Sequence, residues 1–175
     1  VKIQLLVVAG KEEHLLREIN QFECHIPAHV YNFVDNIPTM MHAADMIICK
    51  AGGLIVTESL ACGLPMILID IIPGQETGNA EYATALGAAD LAETPIAVLE
   101  TLDHLLMNDQ LLLKQRARNA AKHGKPKSAY KVADILHAAL EKNADLPPRP
   151  RRKRLEELVG LVTDPRTYDP QTWLP

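Results

Sequence analysis

The sequence predicts an α/β domain in which a parallel sheet is covered by helices on both faces. Three observations carry that expectation. Short apolar runs alternate with amphipathic ones over most of the chain. Glycines fall where such runs change character, at Gly10, Gly52, Gly53, Gly63 and Gly87. The interior must also be aliphatic, because the 175 residues are 47% hydrophobic but only 4% aromatic.

The elements follow in order. Residues 3–9 read as a buried strand closed by Gly10, and residues 12–22 as a helix. Residues 30–34 form the next strand, followed by a short helix that Pro38 helps to start. Residues 45–49 are a strand, Gly52 and Gly53 a tight turn, and residues 54–62 a helix ended by Gly63. A strand at 65–69 leads into a polar loop at 70–78. A helix over 79–86 stops at Gly87, before a short strand at 89–91. Beyond Pro95 come helical stretches at 96–107, 110–122 and 128–142. Strands alternating with helices in this way describe a Rossmann-like fold.

The length suits one domain with an appendage, residues 1–144 and 145–175. Pro147, Pro148 and Pro150 break the helical pattern, and Arg149, Arg151, Arg152, Lys153 and Arg154 form a basic run. That segment reads as a linker and tail, either solvated or drawn to anionic lipid. The net charge of −4 argues against nucleic acid as a partner. Cys24, Cys49 and Cys62 lack metal-ligand spacing, and free thiols in apolar segments suggest a reducing, cytosolic compartment. No apolar run approaches the ~20 residues that span a bilayer. The opening residues lack the basic lead and cleavage site of a signal peptide, and without an initiator Met the chain reads as an excised piece.

The densest chemical signal is Lys50-Ala51-Gly52-Gly53, between a buried strand and a helix. Glycines there let backbone N–H groups at a helix N-terminus approach an anion, and Lys50 adds positive charge. The plainer reading is a tight turn. Glu58, further along the same helix, has the reach to accept from two ribose hydroxyls beyond a diphosphate, or stands solvated on an outer face. The loop Pro73-Gly74-Gln75-Glu76-Thr77-Gly78-Asn79 offers Gln75 and Glu76 to a hydroxyl-rich ligand. Alternatively it is a solvated loop with Asn79 capping the next helix. Phe33-Val34-Asp35-Asn36-Ile37-Pro38 suits a base, with Phe33 stacking and the backbone meeting the base edge; a core Phe before a turn is the rival. The seven histidines form neither a metal-ligand pair nor a triad, so no metal and no catalytic histidine is assigned.

Together these segments resemble the C-terminal half of the family 28 glycosyltransferases of GT-B fold, over about residues 1–140. The resemblance implies a UDP-hexose as donor substrate and an inverting transfer needing no metal or other cofactor. It places Phe33 and Val34 at the uracil, Lys50, Gly52 and Gly53 at the diphosphate, and Glu58 at the ribose. Gln75 and Glu76 fall at the donor sugar, and Asn79 is counted with them as donor-binding, a role compatible with capping. Residues 72–79 are most similar to the diacylglycerol glycosyltransferase branch, which implies a lipid acceptor and a peripheral place at the cytoplasmic face of a membrane. One departure stands out: Gly53-Leu54-Ile55 replaces the branch's usual Pro-Gly-Thr, so the hydroxyl expected at Ile55 is absent. The general base is expected in an N-terminal acceptor domain, joined in cis or as a partner subunit. Rival readings are a donor-binding subunit of a split enzyme and a non-catalytic nucleotide-binding or interaction module. A nicotinamide-binding fold is disfavoured, because Gly10-Lys11-Glu12 lacks the later glycines of that fingerprint.

Overall fold

The computed structural model describes residues 2–142; the expected linker and tail at 145–175 lie outside the described residues. Every strand pair is parallel. β1 (Leu5–Val8), α1 (Glu13–Gln21) and β2 (Ala28–Tyr31) form one two-stranded unit. After α2 (Ile37–Ala43) come β3 (Ile47–Cys49), α3 (Gly53–Cys62), β4 (Met66–Leu68), α4 (Thr77–Ala85) and β5 (Ala89–Leu91). These three strands pair in the order β3-β4-β5. The α/β class and parallel pairing are as expected, but the described strands form two ladders and not one continuous sheet.

The core gathers around β4, which is buried throughout. Alternation sends Met66 and Leu68 to one face, against Val56 and Leu60 of α3 and Ala80 and Ala83 of α4. Ile67 points the other way, to Leu105 and Leu113 of α5 (Pro95–His123). Helices thus cover both faces of this ladder. Small alanines, Ala80 and Ala83 of α4 and Ala120 of α5, belong to the same aliphatic core cluster.

Several boundaries moved. The helices expected at 96–107 and 110–122 run together as α5, with non-helical backbone from Met107 to Gln110 marking the kink between them. β2 ends at Tyr31, so Phe33 and Val34 lie in the bend that follows it. α4 begins at Thr77 with Glu76 at its N-cap, so Asn79 sits inside the helix and does not cap it. Gly63 ends α3 as anticipated, in the left-handed region at φ 68°. A first compact unit ends at Ala129, and α6 (Ser128–Lys142) crosses into a second. Among the described residues no helix is long and apolar enough to cross a membrane.

Candidate functional site

The carboxyl ends of β3 and β4 lie side by side, with Cys49 opposite Leu68. Whatever follows these strands is therefore brought together. After β3 the chain runs Lys50, Ala51, Gly52 and enters α3 at Gly53. Gly52 is the N-cap, and among the described residues no side chain caps the helix. The first-turn N–H groups thus keep their capacity to bind an anion, and the helix dipole adds to it.

The turn is braced from α4. Asn79 Nδ2 donates to the Ala51 carbonyl at 2.9 Å, locking the glycine turn to the second helix N-terminus. Glu76 is only 8% exposed. Its Oε2 accepts from the Ile72 N–H at 3.1 Å, and its own N–H donates to the Ile72 carbonyl at 2.9 Å. The other carboxylate oxygen lies beneath Gly52, where an added Cβ would sit 3.9 Å from it. Glu76 is therefore a buried brace of its loop, while Gln75 beside it is exposed.

Lys50 does not stand free. Its Nζ lies 2.5 Å from Asp70 Oδ2, at the end of β4. The hydrogen bond and charge of Asp70 push the Lys50 pKa upward, with a smaller push from Glu76, so the ammonium stays charged. Burial and then the Glu76 charge raise the Cys49 thiol to about 11. Among the described residues, an anion arriving here meets Lys50, the N-terminus of α3 and the carboxylates of Asp70 and Glu76.

Glu58 is exposed on α3, one turn beyond Leu54, itself 79% exposed. It borders a groove of about 350 Å³ with Thr57, Tyr82 and Lys125. On its other side lies Cys62, whose thiol is 3.8 Å from His42 Nε2 of α2. The Thr57 hydroxyl donates to carbonyls of the first turn, Gly53 at 2.8 Å and Leu54 at 2.9 Å. It does not take the place of the hydroxyl absent at Ile55, which is half-buried and packs on the core.

Phe33 is no core residue: 61% of it is exposed. Lys11, just past β1, holds its Nζ 4.9 Å from the Phe33 ring centroid. Val34 is half-buried in the same bend. The structure thus gathers Lys50, Gly52, Gly53, Glu76 and Asn79 into one site, with Glu58 further along α3. Phe33 and Val34 stand at the end of the other ladder. Asp70 and Lys11 escaped the sequence reading, although each is a charged residue at or just past a strand's carboxyl end. Among the described residues no three His, Cys, Asp or Glu side chains are grouped to hold a metal ion.

Residues 2–132 match the glycosyltransferase family 28 C-terminal domain. Monogalactosyldiacylglycerol synthase 3, chloroplastic, of Arabidopsis thaliana is 33% identical over 144 residues, covering 82% of this chain and 31% of that protein. The chloroplastic monogalactosyldiacylglycerol synthase of Spinacia oleracea is 34% identical over 133 residues, covering 76% and 26%. The chain therefore spans less than a third of the length of these relatives. Among solved structures, MurG of Acinetobacter baumannii superposes with a TM-score of 0.65 at 26% identity, over 79% of this chain and 42% of that one. The calicheamicin glycosyltransferase CalG4 shares the fold, with a TM-score of 0.53 at 19% identity over 82% and 44%.

Proposed function

This chain belongs to glycosyltransferase family 28 as its C-terminal domain, and from that premise we propose that it is the donor-binding half of an inverting UDP-hexose-dependent transferase with a lipid acceptor. The observation that carries the reading is the uncapped two-glycine entry into α3, at the end of β3 and tied by Asn79 to the head of α4. Backbone N–H groups at Gly53 and Leu54, with Lys50, hold the diphosphate and stabilise the charge that develops as UDP leaves. Glu58 takes the ribose hydroxyls, the Phe33–Val34 bend the base, and Gln75 the hexose. Glu76 contributes by fixing the loop that presents Gln75. The relatives named as monogalactosyldiacylglycerol synthases support diacylglycerol as acceptor.

In this scheme the acceptor hydroxyl attacks the anomeric carbon from the face opposite UDP, and a base in an N-terminal domain takes its proton. No metal or other cofactor enters. The enzyme works as a peripheral protein at the cytoplasmic face of a membrane. The test is calorimetry on this chain with UDP, ADP and UDP-hexoses. UDP is expected to bind in preference to ADP, and Glu58→Ala to weaken it by about 2–4 kcal/mol through loss of two charge-assisted hydrogen bonds. Gln75→Ala is expected to spare UDP and weaken the UDP-hexose. Equal UDP affinity in Glu58→Ala and the parent would remove Glu58 from the ribose.

A further inference from the structure

β1 and β2 run in parallel register, with Val8 opposite Tyr31, and the Ala9 N–H donates to the Tyr31 carbonyl at 2.9 Å. The chain therefore leaves both strands at the same end of the ladder. Gly10 takes the left-handed region there, at φ 69°, and turns the backbone just before Lys11. Phe33 stands two residues past the end of β2. The two side chains meet: the Lys11 ammonium lies over the Phe33 ring, 4.9 Å from its centroid. At that distance the negative face of the ring attracts the cation.

Lys11 has an obvious alternative. Glu12 and Glu13 follow it directly, yet among the described residues its ammonium makes no ion pair and takes the ring instead. The chain's other phenylalanine gives the comparison. Phe22 is 76% exposed, and no described cation lies over it. Phe33 is 61% exposed, so packing alone does not fix its ring. A cation resting on one face restrains the ring and leaves the opposite face open.

We propose that Lys11 is a positioning residue for the nucleotide base: its ammonium holds one face of the Phe33 ring, so that the other face is already set to receive the base. This role rests on the donor reading above, in which Phe33 meets the base, and it adds a residue that touches neither base nor phosphate. A ring ordered before binding raises affinity, because the cost of immobilising it has already been met within the free protein. Stacking tolerates any base, since every base has a π-face. Lys11 therefore sets the strength of base binding and leaves the choice of base to the backbone of the Phe33–Val34 bend.

The test uses this chain with para-fluorophenylalanine at its two phenylalanines, which gives two fluorine resonances with Phe22 as internal reference. Without nucleotide, Lys11→Met keeps an unbranched side chain but removes the charge. It should move the Phe33 resonance and leave Phe22 in place, whereas Lys11→Arg keeps a cation for the ring and should resemble the parent. Calorimetry reads the consequence for binding. Lys11→Met should weaken UDP and uridine by the same factor, about two- to fivefold. That is the ~0.5–1 kcal/mol of an exposed cation–π contact converted at about 1.4 kcal/mol per decade. Inorganic pyrophosphate should bind Lys11→Met and the parent alike, and Lys11→Arg should bring UDP back to within about twofold of the parent. A Phe33 resonance indifferent to Lys11→Met would overturn the proposal. Tighter UDP binding by Lys11→Met would mean that the ammonium occupies the face the base needs. An equal loss with pyrophosphate would make Lys11 a phosphate contact, and either result refutes the positioning role. The two failures are distinct: a parent that binds neither UDP nor uridine sinks the donor reading and this role with it. A parent that binds both, with Lys11→Met equal to it, sinks this role alone.

Discussion

Lys50 and Asp70 close an ion pair across the ends of adjacent strands, Nζ to Oδ2 at 2.5 Å, beside the uncapped start of α3. Both side chains are more than half exposed, so the pair lends little to the fold. Its weight falls on the charge an anion meets. Lys50→Ala is expected to weaken UDP binding about tenfold, by loss of a charge-assisted contact. Asp70→Asn is expected to tighten it roughly two- to fivefold at low salt, because a competing carboxylate is gone. Asparagine also tolerates the left-handed backbone that Asp70 adopts at φ 48°. Both effects should shrink in ~0.5 M salt. Calorimetry at two ionic strengths reads this, and weaker binding by Asp70→Asn would make Asp70 a positioner of Lys50.

Cys49 couples the same site to alkaline pH. Its thiol is raised to about 11 in the folded chain, first by burial and then by Glu76. The unfolded chain gives up this proton at a lower pH than the folded one. Stability therefore falls as pH climbs from about 9 to 11, by about 2 kcal/mol. Cys62 shifts in the same direction, so Cys49→Ala should remove only part of the slope. Urea melts between pH 8 and 11 measure it. A thiol reagent at pH 8 should label exposed Cys24 well before Cys49.

Gly124 follows α5 in an extended conformation, at φ −62° and ψ 145°, so backbone freedom is not why glycine stands there. The reason is close approach. A Cβ would run into the Leu60 carbonyl and come within 2.9 Å of Ala61 Cα, both in α3. Gly124→Ala must push the end of α5 off α3, at a cost of about 2–3 kcal/mol. Chemical denaturation should show that loss, whereas Gly78→Ala meets nothing within 4 Å and serves as the control for added volume.

What the sequence made legible follows from the range of each interaction. The glycine entry to α3 and the Gly63 stop are local features, and both stand where they were read. The alternation of runs gives the class and the parallel pairing, yet says nothing about which strands are neighbours. The division into two ladders was therefore invisible. Asp70 was missed for the same reason: only the pairing of Cys49 with Leu68 brings it to Lys50. Glu76 read as a hydroxyl-binding side chain because burial of a polar loop residue depends on the fold closing over it, as the Ile72 N–H does.

Ser59 offers a test of the packing around α3. Its hydroxyl is fully buried and has no hydrogen-bond partner among the described residues. An unmade hydrogen bond in the interior costs about 1–3 kcal/mol. Ser59→Ala removes the orphaned group and should stabilise the domain by about 1 kcal/mol. Ser59→Val, which keeps the apolar character but adds volume, should lose that gain to overpacking. A fall in the unfolding midpoint of Ser59→Ala would mean that the hydroxyl has found a partner, such as a buried water.

The final prediction concerns turnover. Each donor contact proposed above comes from this one domain, and the chain covers less than a third of its relatives' length. No histidine or aspartate in it has a sequence context that marks it as the base. Positioning of two reactants is worth on the order of 7–11 kcal/mol of barrier lowering. A missing base costs a further ~10²–10⁴-fold. Those losses exceed what electrostatic stabilisation of departing UDP alone restores, at about 3–4 kcal/mol per donor removed in comparable sites. The chain should therefore bind UDP-hexose and leave diacylglycerol unglycosylated. Supplying the acceptor half, in cis or as a separate subunit, should bring transfer above detection. The measurement is radiolabel transfer from UDP-glucose and UDP-galactose to diacylglycerol in mixed micelles, for this chain and for the longer protein. Transfer by the chain alone would place the catalytic machinery within these residues. A longer protein silent with both donors would remove the lipid-hexosyltransferase reading while leaving nucleotide binding to be judged by calorimetry.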